Sequence, residues 1–283
     1  MKLLRYGPVG HERPAMIDRE GNLRDLSAVV GEIDAAAISS AGIARLAALD
    51  PAQLPKVSGQ PRIGIPVASV GKMICVGLNY SDHAKETGMQ VPVEPIIFMK
   101  ATSAFVGPND AVIIPKDSKK TDWEVELGVV IGKKAAHVSE DSALDYVAGY
   151  CVVNDVSERE FQLERVGQWT KGKSCDTFGP IGPWLVTKDE VADPQNLSMR
   201  LEVNGKKMQN GSTKTMVYGV KFLVSYLSRF MTLHPGDIIS TGTPPGVGSG
   251  MKPPVFLKAG DVMTLGIEGL GEQRQELRAW SAD

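Results

Sequence analysis

The chain has 283 residues, of which 42% are apolar and 23% charged, and its formal net charge is −2. That length suits one large domain, alone or with a small appendage, and the composition is that of a globular protein. Near-balanced, interspersed charges give no electrostatic case for nucleic acid or an anionic membrane, and no apolar run approaches the roughly 20 residues that span a bilayer.

The opening MKLLRYGPVGHERPAM lacks the apolar stretch of a secretory signal, so a cytoplasmic location is expected. Cys75, Cys151 and Cys175 are odd in number and have no C-x-x-C spacing. They are expected to be packed residues, not a disulfide framework or a zinc site.

In chain order, a first strand precedes AMIDREGNLRDL, a hairpin-like pair around a Gly-Asn turn. DAAAISSAGIARLAAL carries alanine and leucine at helical spacing. The Pro-rich DPAQLPKVSGQPRIGIP reads as a linker, which delimits a small N-terminal α+β domain over residues 1–68. Over residues 69–283 short β-branched runs recur, among them KMICVGL, PIIFMK, VELGVVIG, AGYCVVNDV, DIISTG and DVMTLGIEGLG. YSDHAKETG, SEREFQLERV and MVYGVKFLVSYLSRFM are predicted helices. Strands outnumber helices and do not alternate with them, which predicts an α+β, mostly β fold with peripheral helices and no doubly wound parallel sheet.

Residues 167–174, GQWTKGKS, satisfy the P-loop pattern, but polar FQLERV precedes them and the helix-breaking CDTFGPIGPW follows. A phosphate loop needs an apolar strand before it and a helix after it, so nucleotide binding is rejected. GVGSG at 246–250 fails as a dinucleotide fingerprint in the same way. There is no G-x-S-x-G elbow and no H-E-x-x-H motif, and His11, His137 and His234 sit in polar or turn-like surroundings that predict surface roles.

The unusual segment is TDWEVELGVVIG, residues 121–132, an apolar strand interrupted by Glu124 and Glu126. Residues two apart in a strand share a face, so two carboxylates lie side by side and each raises the other's pKa unless a positive group intervenes. Asp155 ends the following apolar run, AGYCVVNDV. Three carboxylates without histidine or thiol partners suit a hard cation, Mg²⁺, Mn²⁺ or Ca²⁺. The residues alone leave a second possibility open: the glutamates lie on a solvent-facing edge and Asp155 caps the helix SEREFQLERV.

With these residues in place, the chain resembles the fumarylacetoacetate hydrolase family over roughly residues 70–280. GLNYSDHAKE, EPIIFMK, DWEVELGVVIG, GYCVVNDVSERE, GKSCDTFGPIGP and PGDIISTGTPPGVG follow one another in the family's order. The N-terminal unit resembles the small extra domain of some bacterial members. The resemblance implies a mixed β-sandwich roll, usually a homodimer, with Glu124, Glu126 and Asp155 as ligands to Mg²⁺, or to Mn²⁺ or Ca²⁺ as substitutes. It implies a catalytic dyad, His83 and Glu86, in a lid segment, and an active-site lysine, Lys173. Arg159, Gln162, Thr243 and Lys100 fall on substrate-contacting positions, although Ala101 follows Lys100 where many members have proline. His83 with Glu86, and Arg159 with Gln162, are each three apart and would share a helical face.

The chemistry so implied is hydrolytic C–C cleavage of a 2,4-dioxo acid, an acylpyruvate-like or sugar-acid-derived diketo acid. The cation acts as Lewis acid toward the 2-oxo-acid oxygens and the developing enolate. Water activated by His83 and Glu86 attacks the distal carbonyl; Lys173 and Arg159 neutralise substrate charge, and Gln162 or Thr243 orients it. Decarboxylation, isomerisation or hydration, and ureidoglycolate cleavage use the same cation–enolate chemistry, and fold alone does not choose among them.

Overall fold

The computed structural model describes residues 1–82, 86 and 90–282. β1 (Lys2–Tyr6), β2 (Arg13–Ile17) and β3 (Leu23–Asp25) form an antiparallel meander. The turn between β2 and β3 is closed by Asp18, whose carboxylate accepts from the Glu20 and Asn22 amides at 3.0 and 2.8 Å. The helix expected from Asp34 onward starts only at Ser40, as α1 (Ser40–Ala47). Asp34 and Ser39 each take nearby amides with their side chains, Asp34 from Ala36 and Ala37 and Ser39 from Gly42. Such local bonds compete with helix and favour a cap.

The remaining strands are β4 (Met73–Gly77), β5 (Ile96–Lys100), β6 (Phe105–Val106), β7 (Val112–Ile114), β8 (Thr121–Asp122), β9 (Val125–Ile131), β10 (Val147–Asn154), β11 (Ser157–Glu158), β12 (Gly179–Thr187), β13 (Ser198–Val203), β14 (Lys206–Ser212), β15 (Ile238–Ser240), β16 (Val262–Ile267) and β17 (Gly271–Ala279). They build a large mixed sheet in the order β3-β2-β1-β12-β10-β9-β15-β4-β5, with β6 beside β12, and a second sheet in the order β14-β13-β16-β17-β7. β8 and β11 pair separately. The fold is α+β and mostly β.

Alternation along β9 separates two cores. Val125, Leu127, Val129 and Ile131 pack with Leu201, Met263 and Leu265 of the second sheet. Val130, with Cys151 and Val153 of β10, faces a different core, which Leu3, Met16, Ile33, Ile38 and Leu46 close from the N-terminal side. Residues on both sides of position 68 therefore share one core, and β1 bonds directly to β12. Full burial of each such Leu or Ile contributes roughly 1.5–3 kcal/mol, so the N-terminal unit is built into the sheet.

Two predicted helices differ in detail. SEREFQLERV gives β11 and then a single wide π turn over Glu160–Glu164. The buried Glu158 carboxylate accepts from the Lys120 and Phe161 amides, at 3.0 and 2.8 Å, and so pins the strand end where an α-helix would have begun. A short α2 (Thr170–Lys173) follows, and its Gly172 lies so close to the π turn that a Cβ there would be 2.4 Å from the Gln162 nitrogen. MVYGVKFLVSYLSRFM forms α3 (Val220–Leu227), which starts after Gly219 and buries Leu223, Val224 and Leu227. Most of the helix predicted over residues 80–88 lies outside the described residues. Among the described residues no helix is long and apolar enough to cross a membrane.

Candidate active site and metal centre

The register of β9 against β10 assembles the carboxylates. Glu126 stands opposite Val153 and Val125 opposite Asn154, so the next residue, Asp155, meets Glu124, donating its amide to the Glu124 carbonyl at 2.9 Å. Directly opposed residues project to the same face. Glu124, Glu126 and Asp155 thus share the face of the N-terminal core, beyond its apolar end, and one oxygen from each lies within 4.8 Å of the others. All three are buried. The solvent-edge alternative for the glutamates does not hold.

Among the described residues, three cations surround the group. Lys173, the last residue of α2, places Nζ 2.7 Å from Glu124 Oε2 and 2.8 Å from Asp155 Oδ2. Lys100, at the end of β5, places Nζ 2.5 Å from the other Asp155 oxygen and 3.0 Å from the Val156 carbonyl. The Arg159 guanidinium spans Asp122 through Nε at 2.8 Å, Glu124 through Nη2 at 2.8 Å and Gln162 through Nη1 at 3.0 Å. Asp122 also accepts from the amides of Gly248 and Ser249, at 2.7 and 2.9 Å, and so ties Arg159 to the loop after β15.

Glu126 differs from its neighbours. Its partners are neutral, the Ser240 hydroxyl at 2.6 Å and the Gly242 amide at 2.9 Å. Burial, reinforced by the charges of Asp155 and Glu124, pushes its carboxyl well above the ordinary glutamate range. For Glu124 burial acts in the same direction, but Lys173 and Arg159 overcome it and bring the pKa down to about 2. Burial opposes the charge of Lys173, yet Asp155 and Glu124 raise its pKa above the ordinary lysine value.

An all-oxygen set in which Glu126 takes its hydrogen bonds, among the described residues, from a hydroxyl and an amide fits a hard divalent ion. The sign of the resulting pH dependence follows from Glu126. Its folded-state pKa is raised, so its stabilising contribution is present below the ordinary glutamate pKa and is lost as pH rises through the folded value. A bound cation, which takes the ionised form, offsets that loss. Mg²⁺ is therefore expected to raise the melting temperature more at pH 8 than at pH 5; calorimetric scans showing an equal or smaller rise at pH 8 would count against the ligand set. Glu124 has the opposite sign: its contribution is present above the ordinary value and is lost as pH falls toward about 2.

Glu124 and Glu126 open on a cavity of about 110 Å³. Glu124, Glu126, Arg159, Gln162, Lys173 and Thr243 line it on the polar side, and Val76, Phe98 and Trp169 on the other. Phe98 and Trp169 meet edge to face with ring centroids 5.2 Å apart. Lys100 is set back behind Asp155 with its side chain fully buried. The Thr243 hydroxyl is engaged in the fold, donating to the Val125 carbonyl and accepting from Gln209, at 2.9 and 2.8 Å. Glu86 accepts from the Gly246 amide at 3.0 Å, beside Val247 and Ser249 of the cavity wall. His83 lies outside the described residues. Lys173 ends its helix with the ammonium turned onto carboxylates, the reverse of a phosphate-cradling loop.

Four contributors escaped the sequence reading. Asp122, Trp169, Ser240 and Phe98 all lie within the motifs of the sequence, and a charged residue beside an apolar run is a usable signal for Asp122. Ser240 and Phe98 carry no local mark.

Residues 72–278 match the family described as fumarylacetoacetate (FAA) hydrolase C-terminal. Fumarylacetoacetate hydrolase from Exiguobacterium antarcticum is 37% identical with a TM-score of 0.88, covering 99% of this chain and 100% of that one. A 2-hydroxyhepta-2,4-diene-1,7-dioate isomerase from Mycobacterium marinum is 33% identical with a TM-score of 0.75, over 99% and 98% of the two chains. Maleylpyruvate hydrolase from Sphingobium sp. SYK-6 is 29% identical with a TM-score of 0.82, over 99% and 100%. A match along most of the sequence, and a shared fold along nearly all of it, mean that the chain belongs to the fumarylacetoacetate hydrolase family, which includes hydrolases and isomerases.

Proposed function

We propose that the chain is a Mg²⁺-dependent hydrolase that cleaves a C–C bond of a 2,4-dioxo acid, releasing a pyruvate-type product and a carboxylic acid. The observation that carries this is the convergence of Glu124, Glu126 and Asp155, of which the two glutamates line one cavity together with Arg159 and Lys173. Bound to these oxygens, Mg²⁺, or Mn²⁺ or Ca²⁺ in its place, supplies Lewis acidity toward the two oxygens of a 2-oxo acid.

The protein groups have separable tasks. Lys173 and Arg159 fix the carboxylates and present positive charge where negative charge develops. Gln162, held by Arg159, directs its amide toward the cavity it lines. Glu86 lies at the rim and would orient the base assigned to His83, which takes the proton of the attacking water. Lys100 holds Asp155 from behind, and the Thr243 loop shapes the wall. A homodimer is part of the proposal.

Incubation with Mg²⁺ and 2,4-dioxopentanoate is expected to consume the diketone absorbance and yield pyruvate, and EDTA should stop both. No loss of absorbance with or without metal overturns the assignment. The likeness to a dioate isomerase favours a second reading, isomerisation of an unsaturated 2-oxo acid at the same site. An absorbance change on an unsaturated 2-oxo acid, with no pyruvate released from 2,4-dioxopentanoate, would select it.

A further inference from the structure

The chain after β15 runs into GVGSG, residues 246–250, and its donors face carboxylates. Ser240, the last residue of β15, and the Gly242 amide donate to Glu126 at 2.6 and 2.9 Å. The Gly248 and Ser249 amides donate to Asp122 at 2.7 and 2.9 Å. Between them, the Gly246 amide donates to both oxygens of Glu86, at 3.0 and 3.2 Å. One short stretch of chain thus grips the metal centre, the anchor of Arg159 and the carboxylate at the rim.

The loop is held from the inside. Trp123 Nε1 donates to the Gly246 carbonyl at 3.0 Å, and the Val255 amide to the Gly248 carbonyl at 3.0 Å. A Cβ on Gly248 would stand 2.0 Å from the Val255 carbonyl oxygen and 2.8 Å from Asp122 Oδ1, so the turn closes there only on glycine. Gly250 is different. Its backbone lies outside the left-handed region and accepts a side chain. The three atoms nearest a Cβ at this position all belong to Glu86, Cδ and Oε2 at 3.2 Å and Cγ at 3.5 Å. The bare face of Gly250 is what lets Glu86 reach the Gly246 amide.

We propose that Gly250 is a positioning residue: its missing side chain keeps open the seat in which GVGSG holds Glu86 at a fixed place relative to Glu126 and Arg159. The inference rests on the reading of Glu86 as the group that orients the base, and adds the loop that places it.

Gly250→Ala and Gly250→Val in the full-length protein, each with and without Glu86→Ala, test it. With Mg²⁺ and 2,4-dioxopentanoate, Gly250→Val is expected to lower kcat by about tenfold or more and Gly250→Ala by less, since a misplacement of about 1 Å can cost about a hundredfold in rate. KM and the calorimetric affinity for Mg²⁺ should stay within about twofold, because the inner side of the loop still holds Asp122 and Glu126. In the Glu86→Ala background the same substitutions should cost nothing further, as the residue they act through is gone. A kcat within about twofold of the unaltered protein in both variants overturns the inference. An equal loss with and without Glu86 overturns it too, since that marks a general disturbance of the loop. Should Gly250→Val fail to fold, Gly250→Ala carries the same comparison. If the unaltered protein cleaves the substrate and Glu86→Ala does not slow it, the seat has no catalytic purpose and this inference fails while the hydrolase reading stands. If the unaltered protein cleaves nothing, the hydrolase reading falls and this inference with it.

Discussion

Glu124→Ala is expected to lower Mg²⁺-dependent turnover by about a thousandfold or more, since Lewis-acid stabilisation is worth several kcal/mol and each 1.4 kcal/mol is a factor of ten in rate. The substitution removes one of the three carboxylates proposed to hold the ion and the partner shared by Lys173 and Arg159. The fold should survive it, because each cation keeps another carboxylate, Lys173 with Asp155 and Arg159 with Asp122. Steady-state rates at saturating Mg²⁺, beside a circular dichroism spectrum, separate the two effects. A fully active Glu124→Ala protein would end the case for this metal centre.

Asp122→Ala is expected to act on stability first, costing about 3–5 kcal/mol, as breaking a buried ion pair does. Its carboxylate is fully buried and is shared by Arg159 and the amides of Gly248 and Ser249. Alanine leaves those donors without their acceptor inside the protein, where each lost bond costs the group's desolvation. The melting temperature should fall by on the order of 10 °C for a domain of this size. Asp122→Asn keeps an acceptor oxygen and should recover part of the loss. A fall in stability below about 1 kcal/mol on thermal or urea unfolding would show that the Arg159 guanidinium is held by other means.

The readable parts of the fold are those with a local cause. Apolar β-branched runs marked most strands, and the Gly-Asn turn marked the β2–β3 hairpin. Helix limits were less legible. Asp34 and Ser39 took backbone amides that the alanine pattern assigned to a helix, and Glu158 held a strand end where a helical face was expected. The boundary at residue 68 follows proline content, which carries no information on Leu3 and Ile38 sharing a core with Val130.

The site divides in the same manner. That Glu124 and Glu126 share a face was determined by the sequence itself, because strand alternation is a property of neighbouring residues. So was the hard, oxygen-only character of the donor set. Which groups meet those carboxylates was decided by tertiary structure alone. Ser240 reaches Glu126 across 114 residues, and Lys173 reaches Glu124 across 49, through strand pairing and helix placement that no short spacing encodes. The two adjacent carboxylates are thereby offset in different ways. Glu124 is held by Lys173 and Arg159, whereas Glu126, bonded to a hydroxyl and an amide, keeps the need for a cation.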